Sequence, residues 1–340
     1  MNIKKSFIAI KKRFTSYSNS KHNPHRNFRR TLPRDDVHPL KLPGYFAFTK
    51  YVWKTFWTHR KIFLSLALVY AVLTALMVGI ASQDTYTTLK ETLNTTGGDF
   101  LSGSWGEIGK ASLLFLTAMT GGLSESLSDV QQVYTALIVL LTWLTSIWLL
   151  RNILAGHKVK LRDGLYSAGS PILSTFIVAL LLLVQLLPLA LAFIGYSAAS
   201  ATGLLTGGVE AMLFWFSAGL LAVLSLYWVT STFFALVIVT LPGMYPFQAI
   251  KTASDLVIGR RVKILLRLLW MLASIVITWA AIMIPMILLD AWLKGVWPAI
   301  SWLPIVPILL LVLGALTIVW TSSYIYLLYR KVVANDSDSD

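Results

Sequence analysis

Six stretches of this chain run for 18 residues or more without a charged side chain, at 62–81, 133–150, 172–196, 212–240, 268–289 and 300–328. An α-helix rises about 1.5 Å per residue, so roughly 20 apolar residues cross the ~30 Å hydrocarbon core of a bilayer. No water reaches backbone groups at that depth, and a helix satisfies all of its own N–H and C=O groups. The sequence therefore predicts an all-α membrane protein, a six-transmembrane-helix bundle. The third, fourth and sixth runs are long enough to tilt or to project beyond the core. With 56% hydrophobic and 13% charged residues, the composition excludes an ordinary soluble domain.

Charge orders these runs. All but three of the 29 Lys and Arg residues fall before the first run, between the second and third, between the fourth and fifth, or after the sixth. Lys90, Lys110 and Lys294 lie in the intervening loops, among Asp84, Glu91, Asp99, Glu107, Glu125, Asp129, Glu210 and Asp290. Basic loops stay inside, which predicts a multi-pass protein of the cytoplasmic (inner) cell membrane with both termini cytoplasmic. The net charge of +14 is thus a topology signal; no nucleic-acid-binding motif accompanies it and no such partner is expected. A cleaved leader is the rival reading of the first run, because Gly79 and Ala81 put small residues near its end. About 60 residues precede that run, far more than a leader's basic region, so it reads as a retained anchor.

Three parts follow: a basic cytoplasmic tail at 1–60, the six-span domain at 61–331 with an outer loop at 82–132, and a short acidic cytoplasmic tail at 332–340. In the first, Ile3, Phe7, Ile10 and Phe14 share a helical face among Lys4, Lys5, Lys11, Lys12 and Arg13. A basic amphipathic helix of this kind lies on anionic phospholipids, each near-surface cation contributing about 1 kcal/mol. The alternative is a flexible tail whose charge only enforces orientation. A polar linker at 16–43 leads to Phe46, Val52, Trp53, Phe56 and Trp57, set among Lys50, Lys54 and Arg60 as in an interfacial helix. The outer loop is broken by Gly97, Gly98, Gly103 and Gly106, and its apolar patch at 113–119 is too short to span. That patch reads as a re-entrant or interfacial helix, either capping the bundle or covering a cavity. Asn94-Thr95-Thr96 matches a glycosylation sequon, a motif short enough to arise by chance.

The inner loops predict amphipathic elbow helices. Pro246 suits a first helical position, Phe247, Ile250, Ser254 and Val257 form a stripe, and Gly259 can end the helix. Arg260, Arg261, Lys263 and Arg267 follow and are assigned to lipid headgroups. Lys158, Lys160, Arg162, Tyr166, Gly169 and Pro171 make a shorter elbow after the second run. Each pair of runs with its elbow thus forms a candidate parallel repeat. The stretch Leu241-Pro242-Gly243-Met244-Tyr245-Pro246-Phe247-Gln248-Ala249-Ile250-Lys251, with Ser254, Gly259, Arg260 and Arg261, resembles the inner elbow of bacterial six-helix proteins related to the membrane domain of glycerophosphodiester phosphodiesterases. That resemblance covers the last four spans and implies a helical bundle. The family's catalytic domain has no counterpart here, so no active residue is carried over.

Chemistry is sparse. The absence of cysteine removes thiol nucleophiles, thiolate metal sites and iron–sulfur ligation. The five histidines lie outside the runs without metal-ligand spacing, and no nucleophile elbow or phosphate loop is present. No catalytic residue, metal or cofactor is expected. The run cores hold no ionisable residue, which argues against a proton relay. Asp290 and Glu210 sit at outer ends and Arg267 at an inner end, where its side chain can snorkel.

Neutral groups remain. Gln185 lies three residues before Pro188, which frees the carbonyl of Val184, and Thr230, Ser231 and Thr232 form a cluster. These four residues are a candidate solute path; the plainer reading is interhelical hydrogen bonding. Ala71, Ala75 and Gly79 form a small-residue stripe for close helix packing, as do Ala218 and Ala222. Trp292, Trp297 and Trp302 mark the outer interface, and Tyr324, Tyr326 and Tyr329 the inner one. The expected function is a non-enzymatic assembly or accessory component with a membrane-protein partner or a second copy of itself. The alternative is a carrier or permease for a neutral or lipid-like solute. A membrane-embedded enzyme is third, with Glu210 and Asp290 as its outer acidic pair.

Overall fold

The structure, a computed structural model, describes residues 42–78, 129–297 and 303–337. Contacts divide the chain into Met1–Pro39 and Leu40–Asp340, and every described residue belongs to the second unit. The amphipathic tail with Lys4, Lys5, Lys11, Lys12 and Arg13, the outer loop from 82 to 128, Gly79 and Trp302 lie outside the described residues.

The described chain is helical. In order come α1 (Tyr45–Thr58), α2 (Arg60–Met77), α3 (Asp129–Leu154), α4 (Leu161–Ser167), α5 (Ile172–Ala201), a 3-10 turn (Leu204–Thr206), α6 (Gly208–Ile238), α7 (Pro246–Val257), α8 (Arg261–Val296) and α9 (Ile305–Ser337). Six of these, α2, α3, α5, α6, α8 and α9, are long and apolar enough to cross a membrane. They coincide with the six uncharged runs, and the fold is an all-α six-helix bundle.

α1 exists because Phe48, Val52 and Phe56, four residues apart, give one helical face an apolar stripe, and all three are buried. Phe46, Trp53 and Trp57 on other faces are exposed. The helix breaks at His59, whose φ of −110° and ψ of 26° interrupt the α-geometry before α2 resumes. On α2, Ala67 and Ala71 lie against Ala315 of α9. Small side chains permit that close approach. Of the expected Ala71–Ala75–Gly79 stripe, Ala71 takes part in this contact and Ala75 is half-buried.

Both elbow helices fold back onto the span that precedes them. On α4, Asp163 Oδ2 accepts a hydrogen bond from the Lys160 backbone N–H at 3.2 Å, capping the helix. Gly164 then lies so near α3 that a Cβ would stand 3.0 Å from Leu149 Cδ2 and 3.3 Å from Thr145 Cγ2. On α7, Pro246 does occupy the first turn, and Gly259 follows with φ of +73°, a conformation glycine adopts without Cβ strain. The buried face of α7 is Ala249, Ala253 and Val257; of the expected stripe, Val257 is buried, Ile250 and Ser254 are half-buried, and Phe247 is 83% exposed. The helix packs through alanines because α6 lies close alongside.

α5 and α6 form an antiparallel hairpin through Gly203, which has φ of +73°. α9 is the hub, touching α1, α2, α3, α6 and α8. α5 is the peripheral member: 6% of its most apolar window is buried, against 50% for α6. Tyr324 and Tyr326, expected as inner interface anchors, are buried in the protein instead. Tyr324 meets Phe48 edge-on at 4.9 Å between ring centroids, because α1 covers this end of α9.

Candidate functional site: polar junctions of the bundle

At the basic end, arginines join helices. Arg151, on the last turn of α3, donates from Nη2 to Thr240 O at 2.9 Å and Thr240 Oγ1 at 2.7 Å, just past the end of α6. A cation there also meets the negative end of the helix dipole. Arg261 opens α8 and donates to Tyr227 O at 3.1 Å and Ser254 Oγ at 3.1 Å, while its guanidinium stands 3.9 Å from the Tyr227 ring centroid. It pins the start of α8 to the middle of α6 and to α7.

Arg267 is 6% exposed. It donates from Nη2 to the carbonyl of Pro43, just before α1, and its guanidinium lies 5.3 Å from the Tyr45 ring and 5.5 Å from the Phe48 ring. No acid among the described residues pairs with it, and its Nη1 is buried without a hydrogen-bond partner. Next to it, Trp270 Nε1 donates to Thr49 Oγ1 at 3.0 Å. The headgroup assignment of the elbow cations is accordingly narrower than the sequence implies. Arg260 and Arg267 are buried, Arg261 is held by α6 and α7, and Lys263 is exposed.

The neutral polar groups form a second set. Thr232 Oγ1 donates to Gln185 Oε1 at 2.6 Å, and Ser225 Oγ donates to the Gln185 carbonyl at 2.7 Å. The donor to the proline-loosened turn thus comes from α6 and reaches Gln185, one residue beyond Val184. Thr230 and Ser231 bond back to their own helix, to Leu226 O at 2.6 Å and Trp228 O at 2.9 Å. Gln185 and Thr232 therefore meet across the α5–α6 hairpin, whereas Thr230 and Ser231 do not join them. Two further links follow the same logic. The Tyr70 hydroxyl and Thr145 Oγ1 lie 2.8 Å apart between α2 and α3, and Trp279 Nε1 donates to Thr317 Oγ1 at 2.8 Å between α8 and α9.

No family model, curated protein or solved structure matches this chain.

The nominated acidic pair is used separately. Asp290 is fully buried on α8 and forms an ion pair with Lys294 at 2.9 Å, one turn along the same helix. The Glu210 carboxylate folds back onto Gly207 at the start of α6, where negative charge favours the helix N-terminus. Among the described residues, no cluster of three or more His, Cys, Asp or Glu is placed to hold a metal ion.

Two cavities lie elsewhere. One, of about 420 Å³, is lined by Arg162, Asp163, Tyr166 and Ser167. The other, of about 340 Å³, is lined by Val133, Ala136, Leu137, Leu140, Ile172, Leu173 and Phe176. Sequence reasoning missed both. Arg162 and Tyr166 stood in the elbow pattern, but the apolar lining is indistinguishable from any lipid-facing run until helix crossing is known.

Proposed function

We propose that this chain is a non-enzymatic, multi-pass component of the cytoplasmic membrane that assembles with another membrane protein, with both termini on the cytoplasmic face. The observation that carries this reading is the use made of the polar groups within the spans. Gln185, Thr232, Ser225, Tyr70, Thr145, Trp279 and Thr317 all point at one another across helix pairs. A solute path needs polar groups turned toward a shared cavity; these are turned toward neighbouring helices. Interhelical bonds of this kind hold a scaffold together.

The second support is the outer surface of the α5–α6 hairpin. Leu187, Leu191, Phe193, Ile194, Trp215, Phe216 and Leu220 are all more than half exposed. An apolar face this broad suits contact with lipid or with the helices of a partner. The orientation is supported by the concentration of Lys and Arg at the end where α3 and α6 finish and α8 begins.

Gentle extraction of the tagged full chain, followed by mass spectrometry of what stays bound, tests the reading. A stoichiometric membrane-protein partner is the expected result. Recovery without such a partner, together with a neutral solute that the purified chain moves across a vesicle membrane, replaces this reading with a carrier.

A further inference from the structure

The apolar side of α1 has two surfaces on which it can rest. At 3.6 residues per turn, Phe46, Phe48, Val52, Trp53, Phe56 and Trp57 share about half of the helix circumference, while Ala47, Lys50, Lys54 and Thr58 lie on the other half. Phe48, Val52 and Phe56 are buried on the bundle, and Phe46, Trp53 and Trp57 are exposed. A helix of this pattern also lies in a membrane interface, with its whole apolar side sunk below the headgroups. Hydrocarbon is as apolar as a protein interior, so burial of these side chains does not by itself decide between bundle and bilayer. Polar contacts decide it.

Those contacts oppose one another. Arg267 Nη2 donates to the Pro43 carbonyl, and Trp270 Nε1 donates to Thr49 Oγ1 at 3.0 Å, so two bonds clasp α1 to α8. The docked helix also seals in a guanidinium that no acid among the described residues neutralises, with Nη1 closed to water and without a hydrogen-bond partner. The Tyr324 hydroxyl, whose ring meets Phe48 edge-on, is sealed in the same way. The Tyr45 and Phe48 rings, 5.3 and 5.5 Å from the guanidinium, offset part of the cost of burying an unpaired charge. His59, with φ of −110° and ψ of 26°, interrupts the helix between α1 and α2 and supplies a point about which α1 can turn.

We propose that α1 is a hinged strap over Arg267, docked on α8 and α9 where the adjoining leaflet is neutral and lifted into the membrane interface where that leaflet is anionic. In the lifted state a lipid phosphate replaces the Pro43 carbonyl as the acceptor for Arg267, and it brings the negative charge that the docked site lacks. Phe48, Val52 and Phe56 exchange protein for the region below the headgroups, beside Phe46, Trp53 and Trp57. Lys50 and Lys54 stay on the water side, within reach of further phosphates. Lipid closes over the part of α8 and α9 left behind, so lifting brings no broad apolar face into water.

The test is a distance between spin labels on the full chain, which has no cysteine of its own. Labels at Ala47→Cys and Lys263→Cys, both exposed, report the separation of α1 from the start of α8 by pulsed electron paramagnetic resonance. In phosphatidylcholine nanodiscs one short distance is expected. With equal parts of phosphatidylglycerol, a longer distance should gain on the short one about fivefold, the weight of one near-surface cation. Arg267→Met removes the buried charge and leaves the basic tail, Lys50 and Lys54 in place, so its response should stay below about twofold. An unchanged distance in the parent chain on adding phosphatidylglycerol would overturn the strap. A response as large in Arg267→Met would assign the movement to diffuse surface charge and overturn the part given to Arg267. A long distance already dominant for Arg267→Met in phosphatidylcholine would make Arg267 a plain clasp, with the same consequence. Inorganic phosphate added to phosphatidylcholine discs should leave the short distance dominant; a response equal to that of phosphatidylglycerol would show that a free anion suffices and overturn the lipid. Elution and melting like the parent chain serve as the folding control, and Arg267→Gln, with the same expectation, replaces Arg267→Met if that variant fails it.

Discussion

Arg151 and Thr240 join the ends of two spans that are 89 residues apart in sequence, through two hydrogen bonds from one nitrogen. A charged donor serving two neutral acceptors is worth more than an ordinary bond, roughly 1.5–3 kcal/mol. Arg151→Ala should therefore lower the thermal midpoint in mild detergent by several degrees. Thr240→Val should lose only the hydroxyl share, because the backbone carbonyl remains. Equal midpoints for Arg151→Ala and wild type would show that the link contributes nothing.

Gln185 and Thr232 allow a direct measure of interhelical glue. Their side-chain bond of 2.6 Å lies within the α5–α6 hairpin, and coupling energies of such bonds average about 0.6 kcal/mol. A double-mutant cycle with Gln185→Leu and Thr232→Val, read by reversible unfolding, should return a coupling of that size. Thr230→Val paired with Gln185→Leu should return none, because Thr230 bonds to Leu226 of its own helix.

Gly164 is the tightest contact of the α4 elbow. A methyl group there would stand 3.0 Å from Leu149 Cδ2, and overpacking of this kind costs about 1–3 kcal/mol. Gly164→Ala should lower the unfolding midpoint, and Gly164→Val more so. Leu149→Ala combined with Gly164→Ala should recover part of the loss, since it removes the atoms the new methyl meets.

Sidedness can be read with the chain's own composition. Because it contains no cysteine, single cysteines report accessibility without background. Lys263→Cys is expected to react with an impermeant maleimide only after the inner face is opened. Trp292→Cys, near the far end of α8, should react in intact cells. The opposite pattern would invert the proposed orientation.

Bundle architecture was legible in the sequence because span length and charge placement follow from the thickness and solvation of the bilayer alone. All six runs became helices, and Pro246 fell where its missing N–H is harmless. Pairwise contacts were less legible. Arg267 reads from sequence as a snorkelling side chain, but the segment that buries it, Pro43 to Phe48, lies 219 or more residues away. Phe247 and Tyr324 exchange their expected places for the same reason. An apolar ring near a span end can face lipid or protein, and only the crossing of a distant helix decides which.

One consequence follows from the position of α5. A helix with so little protein around it takes its tilt from the slab it sits in, because hydrophobic mismatch is relieved by leaning. Its neighbours are fixed by packing to one another, so thinning the bilayer should lean α5 against α6 while α2, α3, α6 and α9 stay in place. In that sense α5 is a gauge of bilayer thickness, mounted on a stiffer frame.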